Sequence, residues 1–219
     1  MKNHIILQKT PHQAGKDFNM KAVDIDIDFS KTPGYNFLLG LNALNAGNEI
    51  LAEECFNKEI DINPYDPDVY HKRAVLRYKS GNIKGAADDY IQILELDDND
   101  AIAHENLGSI INSTDGDLDD AIKHLTKAVR VNQNSTGAFY IRGIAYYKKN
   151  DLDRAISDYT QAIRLQPDHA YAYYNRGLCY KKKGDYKRAS SDFSNAHNIA
   201  PSDMQAINQL NELGYFVNK

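Results

Sequence analysis

Residues 136–203 consist of one 34-residue unit written twice, first as TGAFYIRGIAYYKKNDLDRAISDYTQAIRLQPDH and then as AYAYYNRGLCYKKKGDYKRASSDFSNAHNIAPSD. In register, the copies agree at Arg142/Arg176, Gly143/Gly177, Tyr146/Tyr180, Ala155/Ala189, Asp158/Asp192, Ala162/Ala196 and Pro167/Pro201. An aromatic recurs at Tyr159/Phe193. A fixed period of this length restricts the chain to architectures that stack one repeated element. Counting back gives five units, 33–66, 67–100, 101–135, 136–169 and 170–203. The eighth position holds Gly40, Ala74, Gly108, Gly143 and Gly177, and the twentieth is Ala52, Ala86, Ala121, Ala155 and Ala189.

This pattern of small, aromatic and turn residues resembles the tetratricopeptide repeat (TPR). The resemblance implies an all-α chain, a right-handed superhelical solenoid of five helical hairpins. Position eight is then small because two helices cross there with their backbones close. Position twenty-four (Phe56, Tyr90, Leu125, Tyr159, Phe193) is expected to pack between hairpins. The third copy carries one extra residue within 112–117, a turn that faces solvent and tolerates insertion. The first copy departs most, with Asn36 and Ala43 where aromatics are usual and Glu59 where a small residue is usual.

Outside the repeats, residues 1–32 show no helical period and read as an extended or flexible N-terminal arm. Within it, Val23 to Phe29 alternates apolar and acidic residues. Residues 204–219 read as a C-terminal capping helix and tail. Ser202 or Asp203 caps the helix, Met204, Ile207, Leu210 and Leu213 recur at helical spacing, and Gly214 ends it. Tyr215 and Phe216 are expected to pack back on it.

Position seven is Arg in three copies (Arg73, Arg142, Arg176), and position twenty-three is Asp in the same three (Asp89, Asp158, Asp192). The other two copies hold Leu39 with Cys55 and Leu107 with His124. Charges that come and go together predict an ion pair inside the hairpin, where an Arg fork suits a carboxylate.

In family terms the first helices line a concave groove, and positions two, five, nine and twelve face it. The candidate groove residues are Phe37, His71, Tyr78, Glu105, Tyr140, Ile144, Tyr147, Lys148, Tyr171, Tyr174, Leu178 and Lys181. Tyrosine offers a large apolar contact and a polar tip at small entropic cost, which suits a binding surface. The implied function is a protein-interaction module, an adaptor, scaffold or assembly factor that takes a peptide or helix with apolar and acidic residues. The alternative is a structural protein that self-associates through the arm or end helices. A further expectation is that the arm competes for the groove of its own chain or of a neighbour. Asp24, Asp26 and Asp28 would lie toward the edge of Lys148, Lys149, Lys182 and Lys183, and Ile25, Ile27 and Phe29 toward the tyrosines. The clamp by which one TPR subgroup holds acidic chaperone tails is absent. Asn106 and Asn175 stand at one of its positions, but His71/Val75 and Tyr140/Ile144 replace its Lys and Asn.

Lys and Arg number 26 against 30 Asp and Glu, and the net charge of -4 opposes a general nucleic-acid or anionic-membrane surface. No apolar run approaches the ~20 residues of a membrane span. Ile5-Ile6-Leu7 is too short for a signal peptide, so the expected compartment is the cytoplasm. Cys55 and Cys179 lie three units apart, too far for a disulfide between hairpins whose helices stand roughly 8–10 Å apart. No phosphate loop, zinc-ligand spacing or nucleophile elbow occurs. The chain is expected to be no enzyme and to need no cofactor or metal, although His71, His104 and Glu105 are near enough in register to be compared as ligands.

Overall fold

The computed structural model describes residues 28–114 and 116–214. Its elements there are a 3-10 turn, Phe29–Lys31, and eleven α-helices. The chain divides into two compact units, one ending at Val69 and one starting at Tyr70.

The first unit holds α1 (Tyr35–Asn45) and α2 (Glu49–Ile62), which pack on each other. The division falls within α3 (Pro67–Lys79). The second unit continues with α4 (Ile83–Leu96), α5 (Ala101–Ser113), α6 (Leu118–Val131), α7 (Thr136–Lys148), α8 (Leu152–Leu165), α9 (Ala170–Lys182), α10 (Tyr186–Ile199) and α11 (Met204–Glu212). Each helix from α4 onward touches the next, and α7 also touches α5 and α9. The expected all-α fold of TPR hairpins is therefore what forms.

The hairpins are punctuated at a shared cap and, in four of the five, at the residue before it. The residue before each second helix is Asn48, Asn82, Asp117, Asp151 or Asp185, and its side chain accepts an amide hydrogen bond from the first turn. The residue before that cap has a positive φ at Gly47, Gly81, Asn150 (61°) and Gly184. In the third hairpin the extra residue lies in this turn, and α5 keeps the 13-residue length of α7 and α9.

The ring at position twenty-four lies over the position-eight glycine of its own hairpin and also belongs to the core shared with the next element, Tyr159 with Cys179 and Phe193 with Leu210. A Cβ on Gly143 would stand 2.7 Å from Tyr159 Cε1, and one on Gly177 would stand 2.8 Å from Phe193 Cε1. These rings are fully buried, so the absent methyl sets how closely the two helices approach.

The Glu59 irregularity has a direct cause. Gly34, which precedes α1, has no side chain to cap that helix, and Glu59 reaches over from α2 instead. Its carboxylate accepts the amide protons of Gly34, Asn36 and Phe37, three donors that the helix start leaves open. The Asn36 side chain donates to Ser30 O at 2.7 Å and ties the 3-10 turn to α1.

At the C-terminal end, Asp203 caps α11 and Gly214 follows it with φ 80°. The buried contacts come from Ala206 and Leu210, joined by Leu213, against Phe193 and Ala196 of α10. Met204, expected on that stripe, is exposed. Tyr215, Phe216 and the arm before Asp28 lie outside the described residues. Of the alternating stretch, Asp28 accepts from Ser30 N and Phe29 opens the 3-10 turn.

Candidate binding face

The predicted ion pairs are present in all three hairpins that carry the residues. Arg142 Nε and Nη2 each donate to Asp158 at 2.8 Å, and Arg176 does the same to Asp192. Asp89 accepts from both Arg73 and Arg77. The arginines also bridge hairpins. Arg142 Nη1 reaches Thr126 Oγ1 at 3.2 Å, and Arg176 Nη1 reaches Thr160 Oγ1 at 3.0 Å. These side chains belong to the scaffold.

The candidate binding residues of the second unit lie mainly on neighbouring first helices. On α7, Tyr140, Ile144 and Tyr147 follow at four- and three-residue spacing, which places them on one side of the helix. On α9, Tyr171, Tyr174, Leu178 and Lys181 do likewise. Glu105 stands on α5, and His71 and Tyr78 on α3. Phe37 belongs to the first unit, where its ring lies 6.0 Å from Phe56.

Several of these groups are held by the chain itself. Asn175 donates to the Tyr140 hydroxyl at 3.0 Å, and the Tyr140 ring lies 4.7 Å from His169. Burial pushes the Tyr140 hydroxyl pKa up. Tyr174 packs on Phe193 at 5.7 Å, and Tyr147 has the Lys182 ammonium 5.4 Å from its ring centre. Tyr171 is 56% exposed, and Tyr78 is open to a comparable degree. His71 Nε2 meets Asp100 Oδ2 at 2.9 Å. Ser135 donates to Glu105 at 2.5 Å, and this carboxylate occupies the space that a side chain on Gly137 would need.

The lysine edge is not a row of open cations. Lys148 donates to Asn112 O, Lys149 pairs with Asp119, and Lys183 pairs with Asp153. Lys181 donates to Gln209 at 2.7 Å and to Glu212 at 2.5 Å. The pairing rule is Lys at position fourteen with Asp at position eighteen of the preceding hairpin. That register is visible in the sequence as Asp119/Lys149 and Asp153/Lys183.

The histidines take partners other than one another's first-helix neighbours. His71 goes to Asp100, while His104 meets His124 on α6. No cluster of three or more His, Cys, Asp and Glu among the described residues suits a metal. Asn106 donates to Ile102 O of its own helix, so neither asparagine of the clamp register faces outward unengaged. Cys55 and Cys179 are buried free thiols, and burial pushes Cys179 up to about 12. No described helix is long and apolar enough to cross a membrane.

The sequence reading missed a cavity of about 760 Å³ on another side of α5, between α4 and α6. Its signal in the sequence is the third copy's Leu107 and His124, which replace the Arg–Asp pair and leave that space unfilled.

Hairpins of two helices, capped at fixed places, closed by position-specific Arg–Asp pairs and joined by Arg–Thr and Lys–Asp contacts, define a helical repeat protein. Family models for the tetratricopeptide repeat match residues 71–138, 114–159 and 170–203, and a TPR repeat model matches 143–184. The chain belongs to the tetratricopeptide repeat family. It is 29% identical over 112 residues to TPR repeat-containing protein MJ1428 of Methanocaldococcus jannaschii, a match covering 47% of this chain and 19% of that one. Among solved structures, MamA is 25% identical with a TM-score of 0.70, over 75% of this chain and 95% of the other. YrrB, described as a TPR protein with an unusual peptide-binding site, is 21% identical with a TM-score of 0.72, over 81% and 91%. The coarse functional class that goes with this family and fold is a protein-interaction module.

Proposed function

We propose that the face formed by α7 and α9, with contributions from α5 and α3, binds a peptide or helix of a partner protein, and that the chain serves as an adaptor, scaffold or assembly factor. The observation that carries this reading is the concentration of tyrosines on adjacent first helices. Tyr147 and Tyr171 offer ring surface beside the anchored Tyr140 and Tyr174. Aromatic side chains held in place by the scaffold lose little entropy on contact. The bound segment is read primarily from its apolar anchors. An acidic residue on it would compete with the partners that Lys148 and Lys181 already have. YrrB's peptide-binding site is a precedent for the fold, not for these residues.

Affinity capture from the native cell with wild type and Tyr171→Ala tests this reading. Loss of one defined partner from the variant supports it, and an unchanged partner set refutes it.

A second reading, self-association, rests on the first hairpin. Leu38 is 61% exposed and Ile50 78%, beside Leu39 and Leu51. Such a cluster suits contact with another apolar surface. Mass rising with concentration, and falling back in Leu38→Glu/Ile50→Glu, is the outcome that favours it.

A further inference from the structure

The third hairpin lacks the polar links that the fourth and fifth make within themselves and to the hairpin before each. At the third-to-fourth and fourth-to-fifth contacts, an Arg joins an Asp of its own hairpin and a Thr of the preceding one, through Thr126–Arg142–Asp158 and Thr160–Arg176–Asp192. The same register at the second-to-third contact reads Ile91, Leu107 and His124. A second link, inside the fourth and the fifth hairpin, stacks a guanidinium on tyrosine at 4.5 Å, Arg154 on Tyr146 and Arg188 on Tyr180. In the third hairpin these places hold Asp120 and Ile111. The third is the Asp–Lys pair of Asp119/Lys149 and Asp153/Lys183, replaced here by Lys84 and Thr114.

The consequence is the cavity of about 760 Å³, into which all these replacements face. Ile83, Ala87, Ile91 and Leu94 run along its α4 wall at helical spacing, with Leu107 and Ile111 on its floor. Leu107 follows Glu105 by two residues, about 200° around α5 at 3.6 residues per turn. The slot therefore opens on the other side of α5 from the candidate binding face.

Its charges are uneven. Lys127 is paired with Asp98, and Gln92 donates to Glu95. Lys84 and Lys123 have no ion pair among the described residues. Lys84 stands where the following two hairpins place a carboxylate, which leaves its ammonium open to a group brought by a ligand, while Glu95, Asp98 and Asp120 also line the slot.

We propose that this slot is a second docking site, which takes an amphipathic helix of a partner protein bearing a stripe of aliphatic residues and a carboxylate at the end over Lys84 and Lys123. A helix is favoured over an extended segment because its backbone groups are satisfied internally, whereas a strand laid on this aliphatic wall finds no edge to pair with. The α4 wall runs from Ile83 to Leu94, about 16 Å at 1.5 Å per residue, which corresponds to about three helical turns.

The test is a phage-displayed library of three-turn helical peptides selected on the full chain. Binding is compared with two variants. Ile91→Thr/Leu107→Arg/His124→Asp restores the arginine connection and fills the slot. Lys84→Glu/Lys123→Glu changes only exposed side chains and leaves the core intact. Circular dichroism and a urea midpoint confirm that each is folded. Selected peptides with aliphatic residues at i, i+4 and i+7, an acidic end, and at least tenfold weaker binding to both variants are the expected result. Peptides that bind either variant as tightly as wild type, or a library that yields no binders, overturn the proposal. So does dodecanoate shifting the methyl resonances of Ile91, Leu94 and Leu107 where no peptide does, since the slot is then a small-amphiphile site.

Discussion

His104 Nδ1 and His124 Nδ1 stand 2.8 Å apart, between α5 and α6, and His104 Nε2 lies 3.0 Å from Asp98 O. A carbonyl only accepts, so His104 carries its proton on Nε2 and its Nδ1 accepts from His124. The two rings thus share one proton between their Nδ1 atoms.

That arrangement gives a pH dependence with a definite sign. Burial lowers the pKa of His124, with His104, Lys123 and Lys127 acting in the same direction and Asp120 opposing. Burial also lowers His169. The unfolded chain then takes up protons more readily than the folded one as pH falls below the ordinary histidine value of 6.5. Stability from these groups is complete above that value and is lost on the acid side. The melting temperature is expected to fall between pH 7 and pH 5. His124→Asn/His169→Asn, which keeps a donor toward His104 and a cap on α9, should flatten that fall. An equal slope in the variant would assign the effect to other groups.

Removing Asp158 leaves the Arg142 guanidinium, itself largely buried, facing a gap. Asp158→Ala is expected to cost about 3 kcal/mol, read as a lower urea midpoint. The first hairpin shows what this position accepts instead, with Leu39 and Cys55 in the same register. Arg142→Leu/Asp158→Cys is accordingly predicted to recover most of the loss. A wild-type midpoint for Asp158→Ala would show that the pair contributes nothing.

Glu59 should act locally. Glu59→Ala strips α1 of the acceptor for three amide protons and is expected to cost about 2 kcal/mol. Hydrogen exchange at Gly34, Asn36 and Phe37 would accelerate, while amides of α9 and α10 keep their protection. Unchanged exchange at these three amides would count against the capping role.

Legibility in the sequence followed recurrence. The register of the hairpins, the Arg–Asp pairs and Asp203 before α11 were readable because each repeats a local rule or a copy-by-copy covariation. Glu59 was visible only as an irregularity, since its purpose depends on α2 reaching the start of α1. The lysines looked like an open edge because their partners, Asp119 and Asp153, sit one hairpin earlier. The slot beside Leu107 was the hardest to foresee. It is made by side chains that are missing, and a void is a property of packing in three dimensions rather than of any residue.

The central claim, that the tyrosine-bearing first helices contact a partner, is tested most directly by site-specific photocrosslinking in the native cell. A benzophenone amino acid is placed at Tyr171 on α9 or, as a comparison of nearly equal exposure, at Tyr186 on α10. A discrete crosslinked partner from position 171 and none from position 186 is the predicted result. Crosslinking from position 186 alone, or from neither, would contradict it.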